Sequence, residues 1–266
     1  MAAPSTVQIR ATATPQGKLA AGAPRVGRDL SLEEIRVNAR WFAVDRVGPR
    51  ADPVQRIVLS GISEVEGWEG LLPEFRAWGI TTITVHAPPV GGLRGVDRWV
   101  TLVREPGAVV AGAHAVVPLE PAVIPMVPQI ARACVGLAQS VAFTLPFPPD
   151  PCAWEGPPLE ELVRGLVGPI GELRAAGVPV GIKGIPPCLL GSVERGAELC
   201  WRTSNRWYVD ADHQRDRALL FLPDVVRFAK TDDCRRCNLV TRCDGLAEGW
   251  LRAGLVERLM PVESAT

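Results

Sequence analysis

Metal-binding chemistry is concentrated in one stretch of this chain, FAKTDDCRRCNLVTRCDGL, from Phe228 to Leu246. Cys234, Cys237 and Cys243 fall within ten residues in the pattern C-x2-C-x5-C, followed by Asp-Gly. Thiolates bind soft or borderline metals, and a complete tetrahedral set needs a fourth ligand. Cys188, in GIPPCLLG, is the best candidate because it also sits beside turn-forming residues. Two occupants suit such a set, zinc and an iron–sulfur cluster. Zinc ribbons pair two C-x2-C knuckles; here there is one, and the fourth thiol lies 46 residues upstream, a pattern that leans toward iron–sulfur. Arg235, Arg236 and Arg242 are placed to offset the charge of a thiolate-bound cluster, or to form an ordinary solvated face.

The other reactive side chains give weaker signals. Cys134, in QIARACVGLAQ, falls on an apolar helical face and reads as core. Cys152 and Cys200 have no partner at ligand spacing and read as structural. His86 and His114 lie in or beside strands, where each is either a satisfied core histidine or a side chain facing a barrel mouth. Tyr208, Asp210, Asp212 and His213 read as the solvated edge of a hairpin. Glu64 and Glu120, near strand ends, are pocket candidates. No phosphate loop, Ser-His-Asp arrangement or carboxylate pair stands out.

The 266 residues carry 29 acidic and 29 basic side chains, so bulk charge favours neither nucleic acid nor an anionic membrane. No apolar run reaches the roughly 20 residues that span a bilayer. The start MAAPSTVQIR lacks the charged and apolar regions of a secretory signal, so a cytoplasmic protein is expected. Seven cysteines in that setting favour metal ligands or buried thiols over disulfides.

The elements that must position these residues alternate. Val7 to Ala13 reads as a strand, Thr14 to Asp29 as a loop, and Ser31 opens a helix with a capping box through Glu34. Strands follow at Arg56 to Ser60, Ile80 to His86, within Ala108 to Pro118, at Val141 to Leu145 and at Val178 to Ile182. Helices are expected over Trp68 to Trp78, Val96 to Arg104, Ala122 to Gln139 and Leu159 to Ala176. About six β/α units, all parallel, give an α/β fold: a partial (β/α)6 TIM-like barrel over 1–184. Residues 185–266 form a small cysteine-rich C-terminal extension with a short helix at Leu246 to Ala253.

A six-unit parallel barrel, PPCLLG after its last strand and CRRCNLVTRCDGL before a helix resembles radical S-adenosylmethionine (radical SAM) proteins with a SPASM- or twitch-like extension. RIVLSGISEVEGWEGLLPEFRAWGITTITVHAP is similar to that family's second strand, glycine loop, helix and third strand. The resemblance implies an auxiliary [4Fe-4S] cluster on Cys188, Cys234, Cys237 and Cys243, and a S-adenosylmethionine loop at Gly61 and Glu64. The family's catalytic C-x3-C-x2-C loop corresponds here to TPQGKLAAGAPRVGRD, which has no cysteine. Ile62 replaces the second glycine of the cofactor loop, which argues against tight cofactor binding. The expectation is a catalytically degenerate iron–sulfur protein supporting a catalytic radical SAM relative or binding a peptide or small-molecule substrate. The alternatives are an enzyme completed by a cluster-bearing partner and a zinc-stapled binding module.

Overall fold

The structure, a computed structural model, describes residues 6–11, 29–45, 53–62, 65–87, 96, 100–106, 113–145, 154–190, 198–200, 207–210, 220–221, 228–241, 243, 245–252, 256, 259 and 261. Two compact units interleave along the chain. The first comprises 1–88, 101–109 and 204–223, and the second 89–100, 110–203 and 224–266. The organisation is α/β and mostly parallel. No helix among the described residues is long and apolar enough to cross a membrane.

In the first unit, β1 (Thr6–Arg10) pairs in parallel with β2 (Arg56–Ser60), and β2 with β3 (Thr82–Ala87). The β-branched and aliphatic residues alternate, so Val7, Ile9, Ile57, Leu59, Ile83 and Val85 fall on one buried face. The helices α1 (Leu32–Arg40) and α2 (Leu72–Ala77) bury Ile35, Ala39 and Phe75 in the same core, with Phe42 from the π-helical turn that extends α1. Ser31 starts α1 as expected: its hydroxyl accepts from the Glu34 amide at 3.2 Å, and the Glu34 carboxylate accepts from the Ser31 amide at 2.9 Å. Ser31→Ala is expected to cost about 1 kcal/mol in urea unfolding, the usual worth of such a cap.

Two expectations change in this unit. Thr101–Arg104, assigned above to a helix, is a strand, β4, and it runs antiparallel to β3. Leu102 is buried between half-buried Thr101 and Val103, a period of two that suits a sheet better than a helix. Trp207–Asp210 is β9 and forms a hairpin with β10 (Leu220–Phe221), but it is no edge, because its other side pairs in parallel with β1. Asp212 and His213 lie outside the described residues, as do 12–28, the cysteine-free loop.

The second unit repeats the parallel pattern with β5 (His114–Pro118), β6 (Ser140–Thr144), β7 (Val180–Lys183) and β8 (Glu198–Cys200). Ala115, Val117, Val141, Phe143, Val180 and Ile182 are buried. The helix α3 (Val127–Cys134) buries Val127, Ile130, Ala131 and Cys134, at the spacing of one helical face. It is shorter than expected, and Pro125 and Pro128 sit in its preceding turn and first turn, where a missing N–H costs little. The helix α4 (Leu159–Ala175) buries Leu159, Leu162, Val163, Leu166, Ile170 and Leu173. Each such aliphatic side chain contributes roughly 1.5–3 kcal/mol when removed from water. Completing the unit are α5 (Pro187–Leu190), a small sheet of β11 (Phe228–Ala229) and β12 (Leu246–Ala247), and α6 (Glu248–Arg252).

Candidate metal centre

Cys188 is delivered by the carboxyl end of β7. Gly184 turns the chain there with φ of 86°, in the left-handed region, and a Cβ on it would meet Leu145 at 3.1 Å. Buried Ile185 and Pro187 fix the next residues, and α5 starts with the Leu189 amide donating to the Pro186 carbonyl.

The other three cysteines ride on consecutive tight turns within the β11–β12 connection. The amide of Cys234 donates to the Thr231 carbonyl, that of Cys237 to Cys234, that of Val240 to Cys237, and that of Cys243 to Leu239. Gly245 closes the connection at φ of 91° with its Cα tight against Ala229, where a Cβ would lie 2.1 Å from the carbonyl oxygen. Trp250 on α6 anchors the segment: it is fully buried and meets Trp154 edge-on at 4.6 Å.

These two deliveries bring Cys188, Cys234, Cys237 and Cys243 to the wall of one hollow. Pro186, Pro187, Leu239, Val240 and Leu259 give the rest of the wall its apolar character, with Lys230 as its one charged side chain among the described residues. All four thiols are half-buried. Among the described residues, no three histidine, cysteine, aspartate or glutamate side chains form a group that could close on a metal ion.

Backbone donors already face two of the sulfurs. The Leu239 amide donates to Cys237 Sγ at 3.4 Å and the Gly245 amide to Cys243 Sγ at 3.3 Å, each two residues beyond its cysteine. Thr231 Oγ1 stands 3.7 Å from Cys234 Sγ. Such bonds favour the thiolate and, in a cluster, tune its potential. Burial pushes the Cys188 thiol up to about 12, and its three fellow cysteines add to the rise. Burial also raises Cys243, opposed by the Gly245 amide and the Lys230 charge. Four mutually repelling thiolates in an apolar hollow need a cationic partner, which is what a metal supplies.

Lys230 went unnoticed in the sequence, where it is one lysine four residues before a cysteine. Its Nζ donates to the Val240 carbonyl at 2.7 Å, which holds it at the wall. The arginines do something else: Arg235 pairs with Asp232 at 3.0 Å and Arg236 with Asp233 at 3.2 Å, all on one exposed turn. Arg242 lies outside the described residues. Among the described residues, charge offset at the thiols falls to Lys230.

Cys134 stands apart, fully buried on α3, with its thiol pushed up to about 11 by burial. At about pH 8 its thiolate fraction is on the order of one in a thousand. Iodoacetamide is expected to leave Cys134 unmodified in the native chain and to label it after denaturation, as peptide mass mapping would read. Cys200 lies in β8, and Cys152 lies outside the described residues.

The remaining candidates are distributed. Gly61 follows β2 with φ of 69°, and Glu64 lies outside the described residues. Ile62 is fully buried in the first unit's core. His114 opens β5, at the amino end of the strand and away from the end where parallel sheets carry ligands. Its Nδ1 stands 2.7 Å from Ser140 Oγ. His86 is at the carboxyl end of β3. The Glu120 carbonyl accepts from the Val123 and Ile124 amides, giving that residue a turn-forming role just past β5. Compared with family models, curated proteins and solved structures, the chain matches none. Function has to be argued from the sites themselves.

Proposed function

We propose that this chain is a radical-SAM-like iron–sulfur protein of partial-barrel type that carries one auxiliary [4Fe-4S] cluster in its C-terminal extension. One observation carries the reading: four cysteines from two segments wall a single apolar hollow, with amides donating to two of their sulfurs and one lysine beside them. The single C-x2-C knuckle, with its fourth thiol 46 residues upstream, favours a cluster over a zinc staple. Cys188, Cys234, Cys237 and Cys243 would hold it, and when bound it would supply one-electron transfer. With four protein ligands the cluster leaves no iron for a substrate or cofactor. The apolar wall limits the water that reaches the half-buried thiols, and Lys230 would offset their charge.

The catalytic loop of this family needs three cysteines, and the corresponding segment here has none. Without them the chain has no site to deliver an electron to S-adenosylmethionine, so its role is supporting: docking a catalytic relative or holding a peptide or small substrate in the cytoplasm. The isolated, reconstituted chain, incubated anaerobically with S-adenosylmethionine and dithionite, is expected to yield no 5′-deoxyadenosine above a protein-free control. Turnover by the chain alone would overturn the supporting role, and turnover only with a cluster-bearing partner would make it one half of an enzyme.

A further inference from the structure

The first unit holds a second constellation, on the sheet face opposite its buried core. Gln8, Arg10, Ser60 and His86 occupy that face at half-buried positions. Register aligns three of them in one row across the carboxyl ends of parallel strands: Arg10 beside Ser60 and Ser60 beside His86. On β9, Asp210 is in register with Arg10, and on β4 the uncharged Val103 is in register with His86. The carboxyl edge of a parallel sheet is where ligands are received.

The hydrogen bonds of the row give it two protonation forms. Gln8 Nε2 donates to Ser60 Oγ at 3.2 Å, and Ser60 Oγ stands 3.3 Å from His86 Nδ1. A hydroxyl has one proton and two acceptor sites. With a neutral imidazole whose Nδ1 is unprotonated, the serine proton is spent on that nitrogen. Once His86 is protonated, its Nδ1–H and the Gln8 amide both donate into Ser60 Oγ, and the serine proton turns outward as a donor. Charge changes with it. β2 and β4 add no charge to the row at the positions in register, so protonation of His86 adds one positive charge to that of Arg10.

We propose that this row binds a small oxyanion, a phosphate or carboxylate group, with Arg10 and Ser60 as its donors, His86 as the proton-taking group and Gln8 positioning the serine. The site stands independently of the cysteine centre. With only three histidines in the chain, ring NMR resonances can be assigned by single His→Asn variants. Inorganic phosphate and acetate, titrated at about pH 6 and again at about pH 8, span the range in which histidine gains its proton. The expected result is a saturable shift of His86 with at least one probe, tighter at the lower pH, and weakened at least about tenfold by Arg10→Gln, which removes a charged fork donor. Arg10→Lys should retain binding. His114, beside Ser140 at the amino end of its strand, is the internal control and should not saturate. A response that never saturates, that is equal at His86 and His114, or that is unchanged in a folded Arg10→Gln protein would overturn the proposal.

Discussion

Cys188→Ser is expected to lower the iron bound after anaerobic reconstitution from about four per chain to below about two, with sulfide falling in parallel. Cys188 reaches the hollow from the carboxyl end of β7, whereas the other three come from the β11–β12 connection. Losing it leaves one corner of a cluster unligated and open to loss of iron. Cys234→Ser, Cys237→Ser and Cys243→Ser should behave alike, while Cys134→Ala, a change in the core of α3, should leave the iron content unchanged. Iron and sulfide assays, with far-UV circular dichroism to show that the fold persists, read the outcome. Full iron content in Cys188→Ser would remove Cys188 from the ligand set.

Gly245→Ala is expected to be the most damaging single methyl in the C-terminal segment. The residue holds φ of 91°, which costs a residue with a side chain about 1–3 kcal/mol. The added carbon would also lie 2.1 Å from the Ala229 carbonyl oxygen, so β11 and β12 must part. Overpacking of that kind adds roughly 1–3 kcal/mol more. Because the Gly245 amide is also the donor to Cys243 Sγ, the shift disturbs the centre itself. The variant should lose amide-exchange protection at Ala229 and Leu246 and should load iron poorly. Normal protection at both would show that the hairpin accommodates the methyl.

The strands and helices were legible where pattern and burial agree, as in the continuous apolar run Ile57 to Leu59 or the helical stripe of Leu159, Leu162, Leu166 and Leu173. Thr101–Arg104 was misread because four residues are too few to separate a period of two from a helical one, and sheet pairing decided the matter. That pairing also broke the expected all-parallel order. The parallel pairing of β9 with β1 joins residues some 200 positions apart, and nothing local announces it. The cysteines were legible because few residue types bind soft metals and their spacing is short. Lys230 was not, since a lysine acquires meaning at such a site only when the chain folds it against Val240. The row of Arg10, Ser60 and His86 was equally hidden, being three unremarkable residues in three strands that register alone unites.

The most direct test of the central claim is iron counting with EPR on the wild-type chain reconstituted anaerobically with iron and sulfide. The account predicts a brown protein with about four iron and four sulfide per chain and, after reduction, the signal of a single [4Fe-4S] cluster. A colourless chain that retains one zinc and takes up no iron, or a chain that binds about eight irons, would contradict it.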